Sequence, residues 1–197
     1  RFDARPFEHF DELLADQTID AVIITTPHSR HVPQIIAAAE AGKHVFVEKP
    51  LALSLESGRR ALDTCRRHSV VLAVGHNRRF MSALTVIKNL VEDGALGTIL
   101  HAEAHFSWPG GLTCPEGYWR ADPAEAPAGA MTATCIHMID SFTHLLGPIE
   151  SVIAAYTKHR AVPLGIDDTT SFIVEFQSGP TGYIGGTIAA PDMSSLN

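Results

Sequence analysis

The chain is poor in cysteine, in aromatic side chains and in positive charge. Its 197 residues hold three cysteines, Cys65, Cys114 and Cys135. The number is odd, the spacing is wide, and no CxxC pair occurs, which argues against a disulfide framework or a thiolate zinc site and for a reducing, cytoplasmic setting. Eleven histidines are present, yet none forms an HExxH-like pair, so no metal is expected. Lys and Arg number 15 against 22 Asp and Glu, a net charge of -7. That balance disfavours nucleic acid or an anionic membrane as partner. No apolar run approaches the roughly 20 residues that span a bilayer, and no signal peptide is visible. Internal repeats and low-complexity tracts are absent too. What remains is a sequence 45% hydrophobic and 19% charged, enough to build a core. The length suits one ordinary domain or parts of two. Both ends read as cut: the chain opens on Arg1 rather than Met, and residues 191–197 form a loop-like stretch just after a strand pattern.

Periodicity gives the organisation. Residues 6–16 carry Phe7, Phe10, Leu13 and Leu14 at helical spacing. Residues 21–25 are a short β-branched run with the look of a buried parallel strand. Residues 31–41 read as a helix stopped by Gly42. Residues 44–47 are a second strand, and Ser54 caps a predicted helix to residue 68. Residues 70–75 are a third strand. Strand and helix in alternation mean a parallel sheet. The rhythm then changes. A helix over 82–93, an alternating strand over 98–107, a Pro- and Gly-rich loop over 108–128 and a helix over 130–146 are followed by strands at 150–158, 169–176 and 182–189. Successive strands joined by Ser178-Gly179 predict an antiparallel sheet. The fold class is therefore α/β: a partial Rossmann, doubly wound parallel sheet over residues 1–80, then an α+β domain with a mostly antiparallel open sheet over residues 81–197.

Five groups of residues have chemical potential, and each has a structural reading beside the functional one. Glu48-Lys49-Pro50 follows the second strand, at the carboxyl edge where doubly wound sheets bind ligands. It offers a proton donor beside a carboxylate, or an ordinary surface ion pair. Pro50 biases Lys49 away from helix and allows a cis bond. Thr26-Pro27 with Ser29 and His31 ends the first strand; it suits a ribose or phosphate, or a plain turn with Ser29 as N-cap. Gly75 to Phe80 carries Asn77, Arg78 and Arg79, which suit a carboxamide or an anion, or a solvated loop. Tyr118-Trp119-Arg120 suits a flat ring or sugar, or an anchor for the loop. His137, with Ala133, Asp140 and His144 at helical spacing, reads as an acid–base tuned by Asp140, or as a satisfied core histidine.

These pieces in this order resemble the glucose–fructose oxidoreductase / inositol dehydrogenase (Gfo/Idh/MocA) family. The carrying residues are the strand from Ile19 to Ile24, Thr26-Pro27 with His31, and Ala41-Gly42-Lys43-His44-Val45 running into Glu48-Lys49-Pro50. Gly75 to Phe80, Gly94 to Gly97, Trp119-Arg120 and Gly129 to Asp140 complete the set. The resemblance implies an NAD- or NADP-dependent enzyme acting on a sugar, inositol or related diol, and a homo-oligomer formed through the open sheet. It also implies that Thr26, Pro27, Glu48, Lys49, Asn77, Trp119 and Arg120 surround the cofactor, and that Lys49 and His137 flank the substrate. Two departures stand out. No G-x-G-x-x-G occurs, so the pyrophosphate cradle is missing and this chain alone is expected to bind cofactor poorly or not at all. The family's helix places an Asp four residues before the His, and here that position is Ala133.

A histidine titrates near neutrality and a lysine does not. His137 is therefore the expected base, with Lys49 holding the substrate oxygen. Ala133 keeps a rival open: a non-catalytic protein of the same fold that binds dinucleotide or sugar and regulates a partner. A lyase- or glycosidase-like enzyme using NAD transiently is a third reading.

Overall fold

Three parallel strands order the first part of the chain. β1 (Ala21–Ile24), β2 (His44–Val47) and β3 (Leu72–Val74) lie side by side, with Ile24 beside Val47 and Val47 beside Val74. The structure, a computed structural model, describes residues 4–115 and 117–191. Residue 1 and residues 192–197 of the loop-like close lie outside the described residues. The chain divides into two units, Arg1–Gly75 and His76–Asn197. This division falls ahead of residues 79–82, where the sequence rhythm changes.

In the first unit a short α1 (Phe10–Ala15) precedes β1, and α2 (His28–Glu40) and α3 (Leu55–Arg67) connect the strands. Ile35, Ala38 and Ala39 of α2 and Ala61 and Cys65 of α3 share one core with Val22, Ile24, Val45 and Val47. Each large aliphatic side chain so buried contributes roughly 1.5–3 kcal/mol. Both helices use the same strand residues, so they cover one face. Ile23 on the other face is 74% exposed, whereas the sequence pattern pointed to strands covered on both. The helix caps follow local chemistry. Ser54 Oγ accepts the Ser57 N–H at 3.1 Å, as the sequence predicts. α2 starts at His28 rather than residue 31, so Ser29 lies inside it. Pro27 supplies the N-cap position (φ -55°) instead, where its missing N–H costs nothing.

The second unit is built on a four-stranded sheet in the order β4 (His101–His105), β7 (Thr181–Thr187), β6 (Thr169–Phe176), β5 (Ile149–Lys158). β4 and β7 are parallel and the other pairs antiparallel. On β4, His101, Glu103 and His105 are exposed while Ala102 and Ala104 face inward, the alternation the sequence shows. The sequence pattern puts the strand's start at residue 98, but it begins at His101, and Leu100 just ahead of it is 77% exposed. The sheet packs on α5 (Ile136–Leu146) through Met138, Phe142, Val174, Phe176 and Ile184. α4 (Ser82–Glu92) is tied to α5 by Lys88 Nζ, which donates to the His144 carbonyl at 3.1 Å.

The expected 130–146 helix is not α-helical throughout. Met131–Cys135 forms a π-helical turn that runs directly into α5. Bonding to the fifth residue inserts an extra residue per turn. Residues before Cys135, Ala133 among them, are therefore rotated away from the α-helical register that relates His137, Asp140 and His144. Close backbone approach braces this turn. A Cβ on Gly186 of β7 would stand 2.4 Å from the Phe106 carbonyl oxygen and 3.2 Å from Cys135 Sγ. Only glycine fits there.

Among the described residues no helix is long and apolar enough to cross a membrane. No His, Cys, Asp or Glu group among them could hold a metal ion, and Cys65, Cys114 and Cys135 are free thiols.

Candidate functional site

The first unit gathers Thr26, Pro27, Glu48 and Lys49 at the carboxyl edge of its sheet. The Glu48 N–H donates to the Ile24 carbonyl at 2.9 Å, and the Gly75 N–H to the Val47 carbonyl at 2.8 Å. The three strand ends are thus held level. Glu48 is exposed and Lys49 half-buried. Glu48 Oε2 accepts the Lys49 backbone N–H at 3.2 Å, and the Lys49–Pro50 bond is cis. Thr26 Oγ1 donates to Gln34 Oε1 at 2.6 Å. His31, fully buried, joins the two edge loops: its Nδ1 lies 2.7 Å from the Pro50 carbonyl oxygen and its Nε2 3.0 Å from that of Thr26. A strap residue of this kind leaves no periodicity signal; its sequence trace is only its place one turn after Thr-Pro.

This donor set fits the nicotinamide half of a dinucleotide. A carboxylate and a hydroxyl oxygen can accept from ribose hydroxyls, an ammonium can donate, and all stand at the edge where such sheets take ligands. The pyrophosphate cradle has no counterpart in this sequence.

In the second unit, His137 is half-buried at the start of α5. Its backbone carbonyl accepts from Ser141 Oγ at 2.8 Å, and its ring meets the Phe106 ring edge-on at 6.4 Å. Asp140, one turn on and buried, is committed to Arg79. Nε donates to Oδ2 at 2.9 Å and Nη2 to Oδ1 at 2.5 Å, with His76 Nδ1 at 3.7 Å from Oδ2. These hydrogen bonds hold the Arg79 guanidinium above its ordinary pKa against the opposing effect of burial. Asp140 therefore fastens the 3-10 turn Asn77–Phe80 to the helix that carries His137.

Trp119 and Arg120 form a cluster with Tyr118. Arg120 Cζ lies 4.1 Å above the Trp119 ring, and its Nη1 donates to the Tyr118 hydroxyl. The cluster borders an open hollow shared with Pro163, Leu164 and Gly165. Next to that hollow, buried Asp168 gathers the turn before β6. It accepts the backbone N–H groups of Arg160 and Ala161 at 2.7 Å each, that of Val162 at 3.3 Å, and the Thr169 hydroxyl at 2.8 Å. Burial alone would raise this carboxyl, but the donated hydrogen bonds outweigh it and hold the pKa at about 2. The neighbouring Asp167 carbonyl accepts the Ala130 N–H at 2.8 Å, so the turn supports the start of the His137 helix. An Asp-Asp pair ahead of a strand carries no pattern from which this role reads.

A parallel sheet with ligand-type residues at its carboxyl edge is joined in sequence to a mixed sheet with a histidine-bearing helix, the class of a dinucleotide-binding α/β fold followed by an α+β domain. Residues 1–76 match the oxidoreductase family with an NAD-binding Rossmann fold, and residues 84–195 match the Gfo/Idh/MocA C-terminal domain. The chain belongs to the Gfo/Idh/MocA family. It is 33% identical over 184 residues to scyllo-inositol 2-dehydrogenase (NAD(+)) of Bacillus subtilis, covering 91% of this chain and 52% of that protein. Against 1,5-anhydro-D-fructose reductase of Ensifer adhaerens it is 32% identical over 173 residues, 86% of this chain and 50% of the relative. A solved levoglucosan dehydrogenase in complex with NADH and levoglucosan superimposes with a TM-score of 0.87 at 28% identity, covering 93% of this chain and 52% of that one. The chain spans about half the length of the curated relatives it matches.

Proposed function

We propose that the full-length protein is an NAD- or NADP-dependent oxidoreductase that moves a hydride between the nicotinamide and a sugar, inositol or related diol. On this reading residues 1–80 belong to the cofactor domain and residues 81–197 to the substrate domain. Thr26, Pro27, Glu48, Lys49, Asn77, Trp119 and Arg120 surround the cofactor. The observation that carries the reading is the set of Thr26, Glu48 and Lys49 on the carboxyl edge of a parallel sheet, in a chain whose relatives are named as dehydrogenases and reductases. The nicotinamide, when bound, supplies the hydride acceptor. Lys49 holds the substrate oxygen, and His137 takes the hydroxyl proton as the carbonyl forms.

The non-catalytic alternative is not favoured by those relatives, although Ala133 removes an acid from the helix. Free thiols at Cys65, Cys114 and Cys135 suit a cytoplasmic setting. Ile153, Tyr156 and Ile173, all exposed on β5 and β6, support a homo-oligomer built on the open sheet. The test is reduction of NAD and NADP by the full-length protein with a panel of sugars, inositols and diols. The reading expects reduced cofactor with at least one of them. Cofactor and sugar binding with no reduction across the panel would instead support a sensor.

A further inference from the structure

Two adjacent arginines in the turn after Gly75 are treated differently by the fold. Arg79 is neutralised by Asp140 through three hydrogen bonds. Arg78 is half-buried and its guanidinium lies over Phe106, with Cζ 4.1 Å from the ring centroid. Among the described residues the Arg78 side chain makes no hydrogen bond and no ion pair; its backbone carbonyl is engaged by the Met81 N–H at 3.0 Å. Asp140, the buried carboxylate beside this turn, already has both oxygens engaged by Arg79. The ring that supports Arg78 is also the ring that meets His137 edge-on at 6.4 Å. One aromatic side chain therefore carries a fixed cation and borders the proposed base.

A guanidinium has five N–H donors and no acceptor. Holding the cation over Phe106 limits its rotamers and leaves its N–H donors uncommitted. A planar fork held in this way matches a carboxylate or phosphate through two parallel charge-assisted bonds. It gives much less to a neutral hydroxyl.

We infer that Arg78 is the docking point for an oxyanion of the substrate, so that the reacting sugar or polyol carries a carboxylate or phosphate and is held by it beside His137. The inference rests on the oxidoreductase reading for the identity of the ligand and on the Arg78–Phe106–His137 geometry for its charge. The same edge would also take a phosphate of the cofactor, and the experiment separates the two sources.

The full-length holoenzyme is assayed with D-glucose, D-glucuronate and D-glucose 6-phosphate, varying sugar and cofactor separately. The expected result is a kcat/KM ratio of acidic to neutral sugar that falls about ten- to a hundredfold in Arg78→Gln, the size of one charge-assisted bond pair. Arg78→Lys should recover part of the ratio, since it restores the charge without the fork. Thermal unfolding of each variant separates this from misfolding. Equal losses on acidic and neutral sugars would overturn the inference and leave Arg78 a structural residue. A rise confined to the cofactor KM would overturn it in favour of a cofactor phosphate. Calorimetric titration of the same proteins with D-glucuronate covers the case of no turnover. Binding lost in Arg78→Gln keeps the oxyanion site while the oxidoreductase reading falls, and no binding in the parent protein sinks the site itself.

Discussion

The His31 imidazole bridges two backbone carbonyls, with Nδ1 at 2.7 Å from Pro50 and Nε2 at 3.0 Å from Thr26. Carbonyl oxygens only accept. The imidazole spans the distance between these two acceptors. The two carbonyls belong to the loops that present Lys49 and Thr26, so the strap holds the carboxyl edge of the first unit's sheet. His31→Ala should lower unfolding free energy by about 2–4 kcal/mol, from two orphaned acceptors and a small cavity. Denaturant unfolding measures it. A loss below about 0.5 kcal/mol, the range of an ordinary surface change, contradicts the role.

Asp168 predicts a pH dependence. Its folded pKa of about 2 lies below the ordinary value of 3.8. The carboxylate therefore adds stability in full above about pH 4, and that contribution disappears as pH falls toward 2. The size is about 2 kcal/mol. Asp168→Asn should cost about that much at neutral pH and flatten the acid limb of the stability curve. An acid limb identical in parent and variant would refute it.

Gly129 predicts a steric failure. Its φ is +48°, and a Cβ there would stand 2.1 Å from the Asp167 carbonyl oxygen. Backbone, not a movable side chain, is the obstacle. Gly129→Ala should destabilise by several kcal/mol or abolish soluble expression. A melting temperature within about 2 °C of the parent would show that the turn can yield.

Arg79 and Asp140 should behave as a coupled pair. Removing Arg79 alone leaves the buried carboxylate poorly compensated, a change that costs about 3–5 kcal/mol in buried pairs. The Arg79 side chain is 42% exposed, so the loss should fall at or below the low end of that range. In a double-mutant cycle with Arg79→Met and Asp140→Leu, the double variant should lose less than the sum of the singles. Strict additivity would show that the pair does not fasten the turn to α5.

Much of this architecture is legible in the sequence because the relevant signals are local. The run from His44 to Val47 is a strand as bounded, Ser54 caps its helix, and Gly42 (φ +74°) ends α2. The alternation on β4 reads directly as one wet and one inward face. Three features were not legible. Ile23 looks like a residue covered on both sides, but both connecting helices lie on the opposite face. The π turn at Met131–Cys135 has the same apolar spacing as an α-helix, and the residues against its two ends, Asp167 and Gly186, lie far along the chain. The roles of His31, Arg78 and Asp168 depend on carbonyls, a ring and amides brought together by tertiary folding. The stretches holding Asn77, Trp119 and Arg120 stand out in the sequence by residue type, but their assignment to the cofactor comes from the family likeness.

The proposal that Lys49 and His137 serve one substrate hydroxyl is tested most directly by kcat for cofactor reduction in the full-length protein and three variants: Lys49→Ala, His137→Ala and the pair. Each single substitution should lower kcat by at least about a hundredfold, and the pair should be little worse than the poorer single, because groups that act as a unit are not additive. Unchanged turnover in either single variant would contradict the account.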